Sequence, residues 1–269
     1  MLWDSDNFQW VTQSANGTSG GILIIWNASV FKKISSFQGA GFLGIQGTWG
    51  EENTPCYLVN IYSPCDLVAK RSLWENLSNT ISSHKGNWCI AGDFNAIRSL
   101  QERKGGTSVR REIREFNDFI EMNGLVDLPM IGRKFSWYRP NGHYMSRLDR
   151  FLFSEEWLVK WTDLKQWGLP RSLSDHCPIL VRDEARNWGP KPFRFYNVWL
   201  QDPAFREMVE NQWNNSDTRG WGGFVLKEKF KRLKSSVKEW TRNHVQVVDN
   251  QIEKAKANLA ELNYKGEVQ

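Results

Sequence analysis

The feature that most constrains this chain is a series of short apolar runs. None is longer than the five residues Ile22-Leu23-Ile24-Ile25-Trp26, and each is closed by a turn or polar residue. A bilayer crossing takes about 20 apolar residues, whereas buried strands take about four to eight. Residues 21–26, 57–62, 88–92 and 177–181 are therefore expected as strands buried on both faces. Residues 135–138 and 145–153, split by Pro140-Asn141-Gly142, are expected as a hairpin. Apolar residues at helical spacing predict helices over 69–82 and 110–123, the second closed by Gly124 at a C-cap. Strands interleaved with helices predict an α/β fold, a two-sheet β-sandwich flanked by helices. With 36 aromatic residues, 15 of them Trp, such a core can be well filled.

Asn187-Trp188-Gly189-Pro190-Lys191-Pro192 interrupts this pattern, because two prolines and a glycine favour extended chain. It predicts a linker over 185–200 between a first domain, 1–184, and a basic, largely helical segment, 201–269. Charge follows the same division. Residues 1–184 hold 20 Lys and Arg against 20 Asp and Glu, so the net charge of +5 comes from the remaining 15 basic and 10 acidic groups. Residues 227–242 alone hold seven basic and two acidic side chains. That run is either a solvated helix face or a nucleic-acid contact, with Lys231, Arg232 and Lys234 at its centre. Leu226, Phe230, Leu233, Val237, Trp240, Val248, Ile252, Ala255, Leu259 and Leu262 predict one long amphipathic helix, 226–262, whose stripe slips near His244. A helix with a single apolar stripe needs a partner surface: the globular part, a second copy, or a missing downstream domain. The four cysteines form no C-x-x-C pair and read as reduced thiols. The start shows no secretory signal, so an intracellular location and no membrane partner are expected.

Chemistry gathers at the expected strand ends. In Gly92-Asp93-Phe94-Asn95, two side chains that can share one small ligand emerge where a strand becomes a loop; the same pair also suits a turn in which both merely bond nearby backbone. Asp175 stands beside His176, where a carboxylate can orient an imidazole and hold it protonated. Ser146-Arg147-Leu148-Asp149-Arg150 places an acid between two arginines, which by itself reads as a salt-bridged strand. Three such motifs could converge on one rim, the arrangement that phosphoryl transfer requires.

In this combination the chain resembles the endonuclease/exonuclease/phosphatase superfamily, and within it the endonuclease of plant LINE-type non-LTR retrotransposon polyproteins. The resemblance rests on residues 19–26, Val59-Asn60-Ile61-Tyr62-Ser63-Pro64, Gly92-Asp93-Phe94-Asn95, Phe135-Ser136-Trp137, residues 146–152 and residues 169–179, in that order. Residues 192–200 are similar to the connector that leads toward the reverse transcriptase. The resemblance implies that Asp93 activates or orients the attacking water and that Asn95 holds water and phosphate. It implies that His176 contacts a phosphate oxygen, with Asp149 accepting its other imidazole proton, and that Tyr62 bonds the phosphate. Asp175 and Asp93 would face Mg2+, or Mn2+ in its place. Ser136 and Arg147 would lie on the DNA-facing surface, with Trp137 read instead as ordinary packing.

The chain also departs from the family. The Asn-x-Arg-Gly strand and the Gln-Glu-Thr strand, whose Glu is the main metal ligand, are not found in it. The expectation is a domain lacking its first strands, with Mg2+-dependent DNA nicking weakened or lost. The alternative is a catalytically silent retroelement remnant that binds nucleic acid or self-associates through its basic C-terminal helix. The resemblance further implies DNA as partner and a nuclear location.

Overall fold

The computed structural model describes residues 7–15, 20–50, 54–106, 110–139, 142–184, 197–214, 218, 220–244 and 246–268. The chain divides into two compact units, one of 1–186 with 260–269 and the other of 187–259. In chain order the first unit contains β1 (Phe8–Gln13), β2 (Ile22–Asn27), β3 (Phe31–Gly39), β4 (Phe42–Trp49), β5 (Pro55–Tyr62) and α1 (Leu67–Ser83). There follow β6 (Asn87–Asp93), β7 (Arg103–Lys104), α2 (Arg110–Met122), β8 (Leu125–Asp127), β9 (Met130–Ile131) and β10 (Trp137–Tyr138). The unit continues with β11 (Met145–Ser146), β12 (Asp149–Ser154), α3 (Glu155–Lys160), β13 (Leu164–Gly168) and β14 (Ile179–Asp183).

The centre is a six-stranded sheet in the order β3-β4-β5-β6-β12-β8. Successive strand residues face opposite sides, so one strand feeds two cores. From β5, Tyr57, Val59 and Ile61 meet Trp74 and Leu77 of α1 and Phe116, Phe119 and Ile120 of α2. Cys56 of the same strand, with Cys89 and Phe153, faces a second layer that includes Trp26 of β2 and Trp157 and Trp161 beside α3. That second layer comprises the β1–β2 pair and the β14-β13-β9 sheet. The architecture is thus an α/β sandwich, with α1 and α2 on one face of the main sheet and α3 and further strands on the other.

Local sequence accounts for the helices. The Asp66 carboxylate caps α1 by accepting from Ala69 N, and Gly124 follows α2 at φ 58°, the left-handed position expected of a C-cap glycine. Three expectations need correction. The apolar run at 177–181 is not buried on both faces: β14 starts at Ile179 and alternates half-buried with exposed residues, as a strand with one face toward solvent does. The run at β2 likewise leaves Leu23 exposed. The stretch 145–153 is not one hairpin strand, because β11 pairs with β10 and β7 whereas β12 joins the main sheet between β6 and β8.

In the second unit, α4 (Pro203–Asn214) and α5 (Gly222–His244) share a small core of Phe205, Val237 and Trp240, with Trp199, Met208, Val209 and Leu233 around it. α6 (Gln246–Val268) follows, its residues to Leu259 counted with this unit. The single helix expected over 226–262 is therefore two, and the first ends at His244, where the apolar stripe slips. Residues 187–196, including most of the expected connector motif, lie outside the described residues.

Candidate active site

The ends of three neighbouring strands carry the site. Tyr62 of β5 is in register with Asp93 of β6, and Asp93 with Asp149 of β12. In-register residues point to the same face of a sheet, so the three side chains form a row on the face that also carries Cys89 and Phe153. Tyr62 is exposed. Gly92 makes the approach to Asp93 possible: its φ is 132°, and a Cβ there would sit 2.1 Å from the Ile61 carbonyl oxygen.

Beyond Asp93 the chain turns sharply. Asn95 has φ 47°, and Asp93 Oδ1 accepts from Asn95 N at 2.8 Å. Asn95 Nδ2 donates to Asp93 Oδ2 at 3.1 Å and to the Ser63 carbonyl at 2.8 Å. The pair is thus both an Asx turn and a part of the site. Lys70, 2% exposed, reaches from α1 to donate to the Asn95 carbonyl at 2.5 Å and to pair with Glu112. This buried ammonium behind the loop had no sequence signal beyond one Lys on an amphipathic helix.

His176 completes the group. Its Nδ1 donates to Asp149 Oδ2 at 2.8 Å, and its backbone bridges to that of Trp137. The arrangement leaves chemistry at His176 to Nε2. Burial would lower the imidazole pKa, but the hydrogen bond to Asp149, then the charges of Asp149, Asp93 and Asp175, raise it above its usual 6.5. Asp93 moves further: burial, then the facing charge of Asp149, push its carboxyl up to about 6, against the opposing pull of the Asn95 N–H, His176 and Lys70. Asp175 is exposed, and its Oδ2 accepts from the indole Nε1 of Trp137 at 3.0 Å. Trp137 therefore orients an acidic side chain, in addition to the packing expected of it. Beside Asn95 lies a cavity of about 400 Å³ whose walls include Arg103, Lys104, Trp137, Arg139 and Tyr144.

Two expected DNA contacts do not hold. Ser136 is wholly buried, and its hydroxyl accepts from the backbone N–H groups of Leu148 and Asp149, both at 2.9 Å. It fixes the segment that carries Asp149 and cannot touch a macromolecule. Arg147 has a side chain only 12% exposed, and it donates to Asp127 at 2.7 Å and to Glu102 at 3.3 Å. Arg150, fully buried, pairs with the same two acids at 2.8 and 2.7 Å. The salt-bridged strand expected around Asp149 thus exists, but Asp149 is not its acid. Lys231, Arg232 and Lys234 are exposed on α5, in the second unit.

The donor set does not suit Mg2+ or Mn2+. Among the described residues no group of three or more His, Cys, Asp or Glu side chains is placed to hold a metal ion. Mg2+ needs an octahedral oxygen shell anchored by carboxylates. Here both Asp93 oxygens accept from Asn95 and Asp149 accepts from His176, which leaves Asp175 as the one exposed carboxylate of the group. No step through a metal follows from these residues.

A helix-backed sandwich whose sheet ends bring together an Asp-x-Asn turn and an Asp–His pair defines a phosphoesterase-type α/β protein. The chain belongs to the Endonuclease/Exonuclease/phosphatase family, which matches residues 2–176. No protein of curated function matches the sequence. Among solved structures, the catalytic domain of Xenopus laevis APE2 is similar, with a TM-score of 0.52 at 15% identity over 65% of this chain and 75% of that one. The endonuclease domain of TRAS1, a telomere-specific non-LTR retrotransposon, gives a TM-score of 0.49 at 13% identity over 67% of this chain and 81% of that one. The 3' phosphatase NExo from Neisseria, bound to a product DNA hairpin, gives 0.48 at 18% identity over 66% and 80%.

Proposed function

We propose that the first unit hydrolyses a phosphodiester bond of DNA, a nicking reaction of the retroelement-endonuclease kind, slowed by its incomplete set of metal-binding carboxylates. The observation that carries this reading is the placement of the Asp149–His176 pair next to Asp93 on one sheet end. Asp93, titrating at about 6, is suited to take a proton from water near neutral pH. The water oxygen forms the new bond to phosphorus, the P–O bond to the leaving strand end breaks, and the leaving oxygen is protonated by solvent. His176, held protonated by Asp149, places positive charge on a phosphate oxygen as negative charge builds there. Arg103, Lys104 and Arg139 around the adjoining cavity supply charge for the flanking phosphates. The retroelement assignment is supported by the ordered motifs from Ser19 to Ile179, and nicking of chromosomal DNA would place the protein in the nucleus.

Supercoiled plasmid incubated with the purified chain, with Mg2+ and with EDTA, tests the reading. Relaxation that is lost in both Asp93→Ala and His176→Ala, with or without EDTA, supports it. Equal nicking by the variants, or none from folded wild-type protein, overturns it.

A further inference from the structure

The first unit's site leaves one charged feature unused, on α5. Lys227, Lys231, Lys234, Lys238 and Arg242 are all exposed and recur at steps of four, three, four and four. At about 100° per residue these five fall within about 80° of the helix circumference and run about 22 Å along its axis. The two acidic residues of the stretch, Glu228 and Glu239, lie on one flank, and Arg232 lies farther round than either, so that Arg232, expected at the centre of a nucleic-acid contact, falls outside the row. The Lys231–Glu228 pair, at 4.0 Å with Lys231 74% exposed, is the kind that exchanges readily with other ions. On the remaining side, Leu233, Val237 and Trp240 are engaged with Phe205 of α4.

We infer that this row is a docking surface for the phosphate backbone of nucleic acid. A straight line of five cations about 22 Å long matches the axial span of about six phosphates on one strand of B-DNA. An anionic bilayer fits less well. A helix lying in a membrane interface buries an apolar face along its length, whereas on α5 Val237 and Trp240 are already buried and the exposed apolar side chains Phe224, Leu226 and Phe230 are confined to its N-terminal part. The inference is independent of the nicking reaction, because it concerns the second unit and requires no catalysis.

Binding of the full chain to a labelled 30-base-pair duplex in EDTA, measured from 50 to 300 mM salt, tests it. The variants are Lys227→Gln/Lys231→Gln/Lys238→Gln and, as a control off the row, Arg232→Gln. These positions are exposed, and circular dichroism checks that each variant stays folded. The triple variant should flatten the slope of log K against log salt by about 2.7, at about 0.9 per lost phosphate contact, while Arg232→Gln leaves it near the wild-type value. An unchanged slope in the triple variant overturns the inference. So does an equal per-residue effect at Arg232, or binding to phosphatidylserine vesicles that excess duplex does not displace.

Discussion

Asp149 and Arg150 are neighbours on one strand, and they belong to two charge clusters of opposite design. Arg150 faces the helix side of the sheet, where Arg98, Arg147 and Arg150 meet Glu102 and Asp127 and every charged group has a partner of opposite sign. Arg150 is fully buried and its guanidinium also lies over the Phe116 ring. Asp149 faces the other side, where Asp93, Asp149 and Asp175 share the single imidazole of His176. A buried cluster in which every charge is paired fixes a backbone. An unbalanced, partly open one shifts proton affinities, which is the condition for chemistry. The alternation of a β-strand lets one tetrapeptide, Arg147-Leu148-Asp149-Arg150, serve both.

The largest expected effect comes from unbalancing the scaffold cluster. Asp127→Ala leaves Arg150 buried with one carboxylate in place of two, and breaking a buried pair costs about 3–5 kcal/mol. Urea denaturation should show a loss of that order; a loss under about 1 kcal/mol would mean that Glu102 alone satisfies both arginines. Next in size is Lys70→Met, which strips the Asn95 carbonyl and Glu112 of their shared buried cation. A loss of about 2–3 kcal/mol is expected, with faster proteolysis in the 92–98 loop as its local signature.

The sandwich and its main strands were legible because apolar runs of strand length between helical patterns admit few other folds, and Asp93, Asn95, Asp149 and His176 were legible because ordered motifs flank them. What escaped depended on pairing across sequence distance. Nothing near Arg150 announces that its acids are Glu102 and Asp127, 48 and 23 positions away. Ser136 was expected on the DNA-facing surface from the resemblance alone, which carries no information on burial, and here it satisfies two backbone donors in the core. The run at 177–181 looked doubly buried because whether a second layer covers a strand's outer face depends on the packing of other elements, which a single strand's composition does not encode.

The open cluster responds to pH in a direction its imbalance dictates. The folded chain holds the Asp93 proton more tightly than the unfolded chain does, since burial and the Asp149 charge raise its pKa from 3.8 to about 6. Ionising Asp93 therefore costs stability as pH rises from about 4 to about 6, and no cost exists below that window. Asp93→Asn should raise stability at pH 7.5 by about 1–2 kcal/mol and leave it unchanged near pH 4. His176 acts in the opposite way: its raised pKa adds stability that is complete below 6.5 and is lost as pH rises through the folded value. The proposed nicking would require Asp93 ionised and His176 protonated, so its rate should be bell-shaped with an acid limb near 6. A rate that climbs steadily into alkali would remove His176 as the cation of the site.

The smallest effect separates orientation from packing at Trp137. Trp137→Phe keeps an aromatic ring but removes the Nε1 donor that holds Asp175. Because Asp175 is exposed, water can replace the lost partner, so stability should change by no more than about 1 kcal/mol. Activity should fall by about three- to tenfold, since a carboxylate freed to rotate spends less time facing the reacting phosphate. The unbalanced cluster would then depend on an outer partner for geometry, as the buried arginines depend on Glu102 and Asp127. If Trp137→Phe leaves nicking intact while Asp175→Asn abolishes it, the carboxylate works without its indole and the dependence belongs to the scaffold cluster alone.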